Sequence, residues 1–127
     1  MLESFFKQFK PMLVRRKETI AGSSDLDRIY YINQGYVRMY TVSESGGEVT
    51  LYIFSPSFIF PILWNKKLLP DQYYFESLTP AEIFSVEKSK LQQLIAQKPE
   101  VCSEIVDQLS SFSHSAIKKL EFKTVGA

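Results

Sequence analysis

The chain has 127 residues, enough for one domain with a real hydrophobic core and too few for two of ordinary size. Its 45% hydrophobic and 23% charged residues exclude a disordered chain, and 15 basic against 14 acidic side chains exclude a broadly cationic, nucleic-acid-coating surface. A single cysteine, Cys102, and a single histidine, His114, exclude an internal disulfide, an iron–sulfur cluster and the histidine-rich sites of most zinc and triad enzymes.

The first segment, residues 2–9, places Leu2, Phe5, Phe6 and Phe9 at helical spacing, and Pro11 ends it. It reads as a short amphipathic helix whose phenylalanines pack on the body that follows. Residues 13–20 read as a strand with Arg15-Arg16-Lys17 at its centre, a solvated face rather than a nucleic-acid patch. Residues 21–27 form a polar turn. Residues 28–33, rich in Ile and Tyr, suit a pleated, half-buried surface. Gln34-Gly35 is a tight turn in which Gly35 takes positive φ. Residues 36–42 alternate Val37, Met39 and Thr41 against Tyr36, Arg38 and Tyr40. Ser43-Glu44-Ser45-Gly46-Gly47 is a hairpin loop, and residues 48–54 alternate again, with Val49, Leu51 and Ile53 on one face.

Residues 55–70 are irregular and strongly apolar. The most apolar window, residues 51–64, is interrupted by Ser55, Pro56, Ser57 and Pro61 and is too short to span a membrane; the start of the chain lacks a basic, then apolar, leader. A cytoplasmic protein is expected. Residues 72–77 and 81–86 are further strands, separated at Pro80. Many short strands at this spacing predict an antiparallel sandwich or barrel. Residues 88–97 form a helix with Leu91, Leu94 and Ile95 on one face. Pro99 breaks it and opens a second, long helix, where a missing N–H does no harm.

In that helix Cys102, Ile105, Leu109, Phe112 and Ala116 recur at spacings of 3, 4, 3 and 4, an a/d seam over two heptads. Such a stripe packs either on its own domain or on a second copy. A helix leaving the end of a compact β body has little of its own domain to cover it, so a homodimer is expected, with the body contributing. Cys102 reads as a small apolar seam residue and His114 as a solvated or dimer-flanking one.

Taken together, these residues resemble the sensory domain of the catabolite activator/fumarate–nitrate regulator (Crp/Fnr) family of bacterial transcription factors. Ile32-Asn33-Gln34-Gly35-Tyr36-Val37-Arg38-Met39-Tyr40 resembles the family's I-x-x-G-x-V-R-x-Y hairpin, and Gly46-Gly47-Glu48-Val49-Thr50-Leu51 its next turn and strand. Ala81-Glu82-Ile83, then Leu91, Leu94, Ile95 and Pro99-Glu100, are similar to its last strand, short helix and helix-opening proline. The resemblance implies a mainly β fold with flanking helices. The β part is a double-stranded β-helix (jelly roll) of the cyclic-nucleotide-binding type over residues 1–99, and a long dimerisation helix covers residues 100–127. It implies a non-enzymatic, effector-sensing role. DNA would be met only through a helix-turn-helix domain absent from this chain, and no membrane partner is expected. The alternative is a stand-alone module of the same fold acting on a partner protein; a cupin-like metalloenzyme is set aside by the single histidine.

Cyclic-nucleotide binders of this fold carry Gly-Glu before a short turn and Arg-Ser or Arg-Thr before the next strand. The resemblance places Phe60-Pro61 and Asp71-Gln72 at those positions. An acid in place of the phosphate-binding arginine reverses the local charge, and phenylalanine for glycine removes room for the backbone to approach. Cyclic AMP is therefore not expected to bind. The family's cysteine-held and haem cofactors are not matched either, so no cofactor is expected. Phe60, Pro61, Trp64, Asp71, Gln72 and Tyr73 are the candidate lining of a pocket for a less polar small-molecule effector. The same aromatic residues would equally serve as core filling the former nucleotide site.

Overall fold

The computed structural model describes residues 1–25, 27–62 and 72–125, with side chains of the last helix described as far as His114. In chain order the elements are α1 (Leu2–Phe6), β1 (Met12–Val14), β2 (Thr19–Gly22), β3 (Arg28–Gln34), β4 (Val37–Val42), β5 (Glu48–Phe54), β6 (Ile59–Phe60), β7 (Tyr74–Ser77), β8 (Ala81–Glu87), α2 (Lys88–Gln97) and α3 (Val101–Val125). The strands form two four-stranded antiparallel sheets, ordered β1-β8-β3-β6 and β2-β7-β4-β5. Apart from the β4–β5 hairpin, consecutive strands are thus dealt to opposite sheets, as in a jelly roll. Ile29, Ile32, Ile83 and Val86 of the first sheet and Val37, Met39, Leu51, Phe54 and Phe75 of the second are buried in one core.

The strand expected over residues 13–20 is two strands in different sheets. Ser77 makes the corner between them. Its carbonyl accepts from the Lys17 N–H at 2.8 Å, its hydroxyl accepts from the Glu18 N–H at 3.0 Å, and its own N–H donates to the Glu18 carbonyl at 3.0 Å. The Ser77 hydroxyl also donates to the Arg15 carbonyl. These bonds hold Lys17 at φ 65. Arg15-Arg16-Lys17 is therefore an exposed corner and not a strand face. Residues 21 and 22, expected in a turn, complete β2.

The alternation expected in β4 holds: Val37, Met39 and Thr41 are buried. That in β5 does not run through. Met39 pairs with Tyr52 and Tyr40 with Thr50, which leaves Leu51 unpaired as a bulge. An extra residue inverts the phase of everything after it. Leu51 and Phe54 consequently point inward, and Ile53, expected on their face, is 52% exposed.

Two tight turns are as expected, with Gly35 at φ 98 and Gly46 at φ 91. The apolar segment after β5, expected to be irregular, contributes β6, whose Ile59 and Phe60 pair with Tyr31 and Tyr30. On the outer face of the first sheet, Phe6 of α1 stacks on Tyr31 with centroids 5.3 Å apart. The helix ends three residues earlier than Phe9, which remains half-buried beside the Lys90 ammonium, 5.3 Å from its ring.

Candidate effector pocket and helix interface

The interior beneath β6 is built from rings. Phe60 lies between Tyr30, stacked at 5.1 Å, and Phe75, at 5.0 Å. Phe54 approaches Phe60 at 5.6 Å and Phe75 at 6.0 Å, and Tyr73 meets Phe75 edge-on at 5.9 Å. Each contact adds about 0.5–1.5 kcal/mol beyond area burial. Met39, Phe54, Pro61, Ile62, Tyr73, Phe75 and Phe112 enclose a space with no room even for a water molecule.

Of the expected pocket residues, Phe60, Pro61 and Tyr73 come together here, all buried. Gln72 does not: its side chain is exposed, and its carbonyl accepts the Thr41 hydroxyl at 2.7 Å. A strand entering a core alternates sides, so Gln72 and Tyr73 cannot both face inward. Trp64 and Asp71 lie outside the described residues.

The α3 stripe read as a dimer seam packs on its own β-roll at its centre. Phe112 is 1% exposed, stacked on Phe54 at 5.7 Å and edge-on to Tyr52 at 5.3 Å. Ile105 and Leu109 are half-buried against the same core. Phe112 is thus packed within its own chain. The helix does not leave the β body behind; it runs across β5. Cys102 is a half-buried free thiol, His114 is exposed, and Ala116 lies beyond the last described side chain. Val106, which borders the stripe on its Cys102 side, is 55% exposed.

Sequence reasoning missed three parts of this site. Met39 lies on the expected face of β4 but is not among the expected residues of this site, and Phe54 belongs to β5, whose inward phase depends on the bulge. Gln108 is a polar residue within an apolar stripe, with nothing in the sequence to mark it. Its amide group donates to the Ser57 carbonyl at 2.8 Å and accepts from the Ile59 N–H at 2.8 Å.

Burial raises the pKa of Tyr30, Tyr52 and Tyr73 above the ordinary 10.0. For Tyr30 the Arg28 guanidinium partly opposes the rise. Phenols whose folded pKa is raised contribute stability that is complete below the unfolded pKa and is lost as pH rises through the folded pKa. Urea midpoints measured upward from pH 9 should therefore stay flat to about pH 10 and then fall, with phenolate absorbance appearing on unfolding. A flat stability curve, or full titration of these tyrosines near 10 in the folded chain, would contradict their burial.

Residues 12–98 match the family described as the cyclic nucleotide-binding domain. The chain belongs to that family. Its fold is the Crp/Fnr sensory jelly roll. The global nitrogen regulator of Synechococcus elongatus is 30% identical over 102 residues, covering 76% of this chain and 45% of that protein. The c-di-GMP-responsive global regulator CLP of Xanthomonas campestris has the same fold at 16% identity, with a TM-score of 0.78, covering 98% of this chain and 63% of that one. A CooA mutant from Carboxydothermus hydrogenoformans matches at 14% identity and TM-score 0.77, over 97% of this chain and 78% of that one. This chain spans about half the length of the curated relatives it matches. Among the described residues, no helix is long and apolar enough to cross a membrane.

Proposed function

We propose that these residues are the effector-sensing and dimerisation part of a cytoplasmic Crp/Fnr-type transcription regulator whose interior does not accept cAMP or cGMP. The observation that carries the second half of this reading is the ring cluster. Small-molecule sites are typically several hundred Å³, whereas the space enclosed by Met39, Phe54, Pro61, Ile62, Tyr73, Phe75 and Phe112 has no room for water. Phe60, at one of the positions where the family resemblance calls for Gly-Glu, is fully buried between Tyr30 and Phe75. A phosphate there would displace an aromatic side chain and would lack a glycine backbone to approach. An effector of this regulator is a less polar molecule that replaces ring contacts. Contact with DNA is assigned to a part of the regulator outside these residues, and pairing of two copies to α3, through the side that carries Val106.

Calorimetry with cAMP and with cGMP at millimolar ligand should show no saturable heat and no shift of melting temperature. A micromolar dissociation constant for either would overturn the reading. Sedimentation should show a dimer that Val106→Asp shifts toward monomer.

A further inference from the structure

Three side chains of α3, four residues apart, meet the rest of the chain, Glu104 at the start of α1 and Gln108 and Phe112 on the β-roll. Glu104 accepts from the Met1 ammonium at 2.8 Å and the Leu2 N–H at 3.1 Å. Gln108 takes both backbone bonds described above. Phe112 enters the ring cluster. Only Gln108 grips the backbone of the segment that leads through Pro61 into the interior. Among the described residues that segment is a sheet edge, since β6 pairs with β3 on one side and ends the sheet order. The preceding turn is fixed on its inner side: the Ser57 N–H donates to the Ile32 carbonyl at 2.8 Å, and the Ile32 N–H to the Phe58 carbonyl at 3.0 Å. Ser57 itself is held at φ 78, a conformation that costs a non-glycine residue energy unless its surroundings impose it.

A side-chain amide can present an N–H donor and a C=O acceptor together, as a peptide group does. At this edge it completes the pairing that a further strand would supply. We infer that Gln108 is a positioning residue: it serves as the missing strand neighbour of β6, and so ties the seating of α3 to the conformation of residues 57–61. A change that re-orders this segment breaks both bonds and frees α3 from the roll at Gln108, while the sheets stay intact. This deepens the sensing role proposed above, on which its biological meaning rests.

The test uses Gln108→Glu and the near-isosteric Gln108→Met. A carboxylate at 108 still accepts from the Ile59 N–H but faces the Ser57 carbonyl oxygen with no proton to offer. The groove around it holds the Met1 ammonium and Glu3 from α1, Tyr31 from β3, and Glu104 and Asp107 from α3 itself. Glu104 is paired with the Met1 ammonium and Glu3 with the Lys7 ammonium, each at 2.8 Å, so the Asp107 carboxylate and the Ser57 carbonyl remain to raise the pKa of the new acid. Once protonated, it regains the donor. Amide exchange should show Ile59 and the α3 amides around 108–112 losing protection together in Gln108→Met, by roughly ten- to hundredfold. In Gln108→Glu the same amides should be unprotected at pH 8 and protected again near pH 5. The amides of Ile32 and Met39 should not change in either variant, and the wild type should show no such pH step. Loss at Ile59 with unchanged α3 protection would overturn the coupling, as would full protection of both in Gln108→Met. Nucleotide binding by the wild type would overturn the proposed function and leave this result standing, so the two failures are distinguishable.

Discussion

Phe112→Ala is expected to lower the stability of the folded chain by about 3–5 kcal/mol, the range for removing a fully buried aromatic ring. At this chain length that is a fall of roughly 10–20 °C in melting temperature. The ring is 1% exposed, stacked on Phe54 and edge-on to Tyr52, so its removal leaves a cavity that two aromatic neighbours cannot close without leaving their own contacts. Phe112→Asp should be worse, because it puts a carboxylate among Phe54, Tyr52 and Met39 with no cation beside it. That variant should unfold rather than dissociate. Differential scanning calorimetry of both, next to Val106→Asp, separates folding from association. The Phe112 variants should lose the transition or move it far down. Val106→Asp, on a residue 55% exposed, should move folding little. A Phe112→Ala chain melting within a few degrees of wild type would mean that α3 is not seated on β5 as described.

Gly35→Ala is expected to cost at least about 3 kcal/mol, from two causes that add. Gly35 has φ 98, which a side-chain-bearing residue rarely adopts. A Cβ at that position would also lie 2.6 Å from the Pro80 carbonyl oxygen and 2.7 Å from the Ala81 Cβ. Neither can yield easily. The Tyr36 N–H donates to the Thr79 hydroxyl at 3.1 Å and the Leu78 N–H to the Tyr36 carbonyl at 2.8 Å, which locks the two turns together. Gly46→Ala is the control. Its φ of 91 imposes the same kind of strain, but nothing lies within 4 Å of an added Cβ. Its cost should be nearer 1 kcal/mol. Urea unfolding of the two variants measures the difference, and equal losses would mean that the close approach of the 35 and 80 turns contributes nothing.

The family resemblance was legible because it rests on local chemistry. The glycines at 35 and 46, the alternation of Val37, Met39 and Thr41, Pro80 between strands and Pro99 before the long helix each specify a turn, a face or a break. Their order along the chain is the order of the jelly roll. None of these signals needs a distant partner to be read, since each follows from φ, from a missing N–H or from period-2 alternation.

What the sequence by itself determined, then, is the family fold, its main hairpin and turns, and the two helices that follow the last strand. Tertiary structure decided where inside and outside lie. The bulge at Leu51 inverts the β5 phase and turns Phe54 inward and Ile53 outward, because one extra residue in a period-2 strand exchanges its faces. Ser77, sixty residues from the corner it holds, splits residues 13–20 between two sheets through bonds that no local pattern encodes. The stripe from Cys102 to Phe112 has the same spacing whether its partner is another helix or a β-roll. Periodicity fixes which residues share a face, and only the packed neighbours show what that face meets. Gln108 carries the same lesson for polar groups. Two backbone partners forty-nine and fifty-one residues away give this amide its place, and they exist only once β6 has become the edge of its sheet.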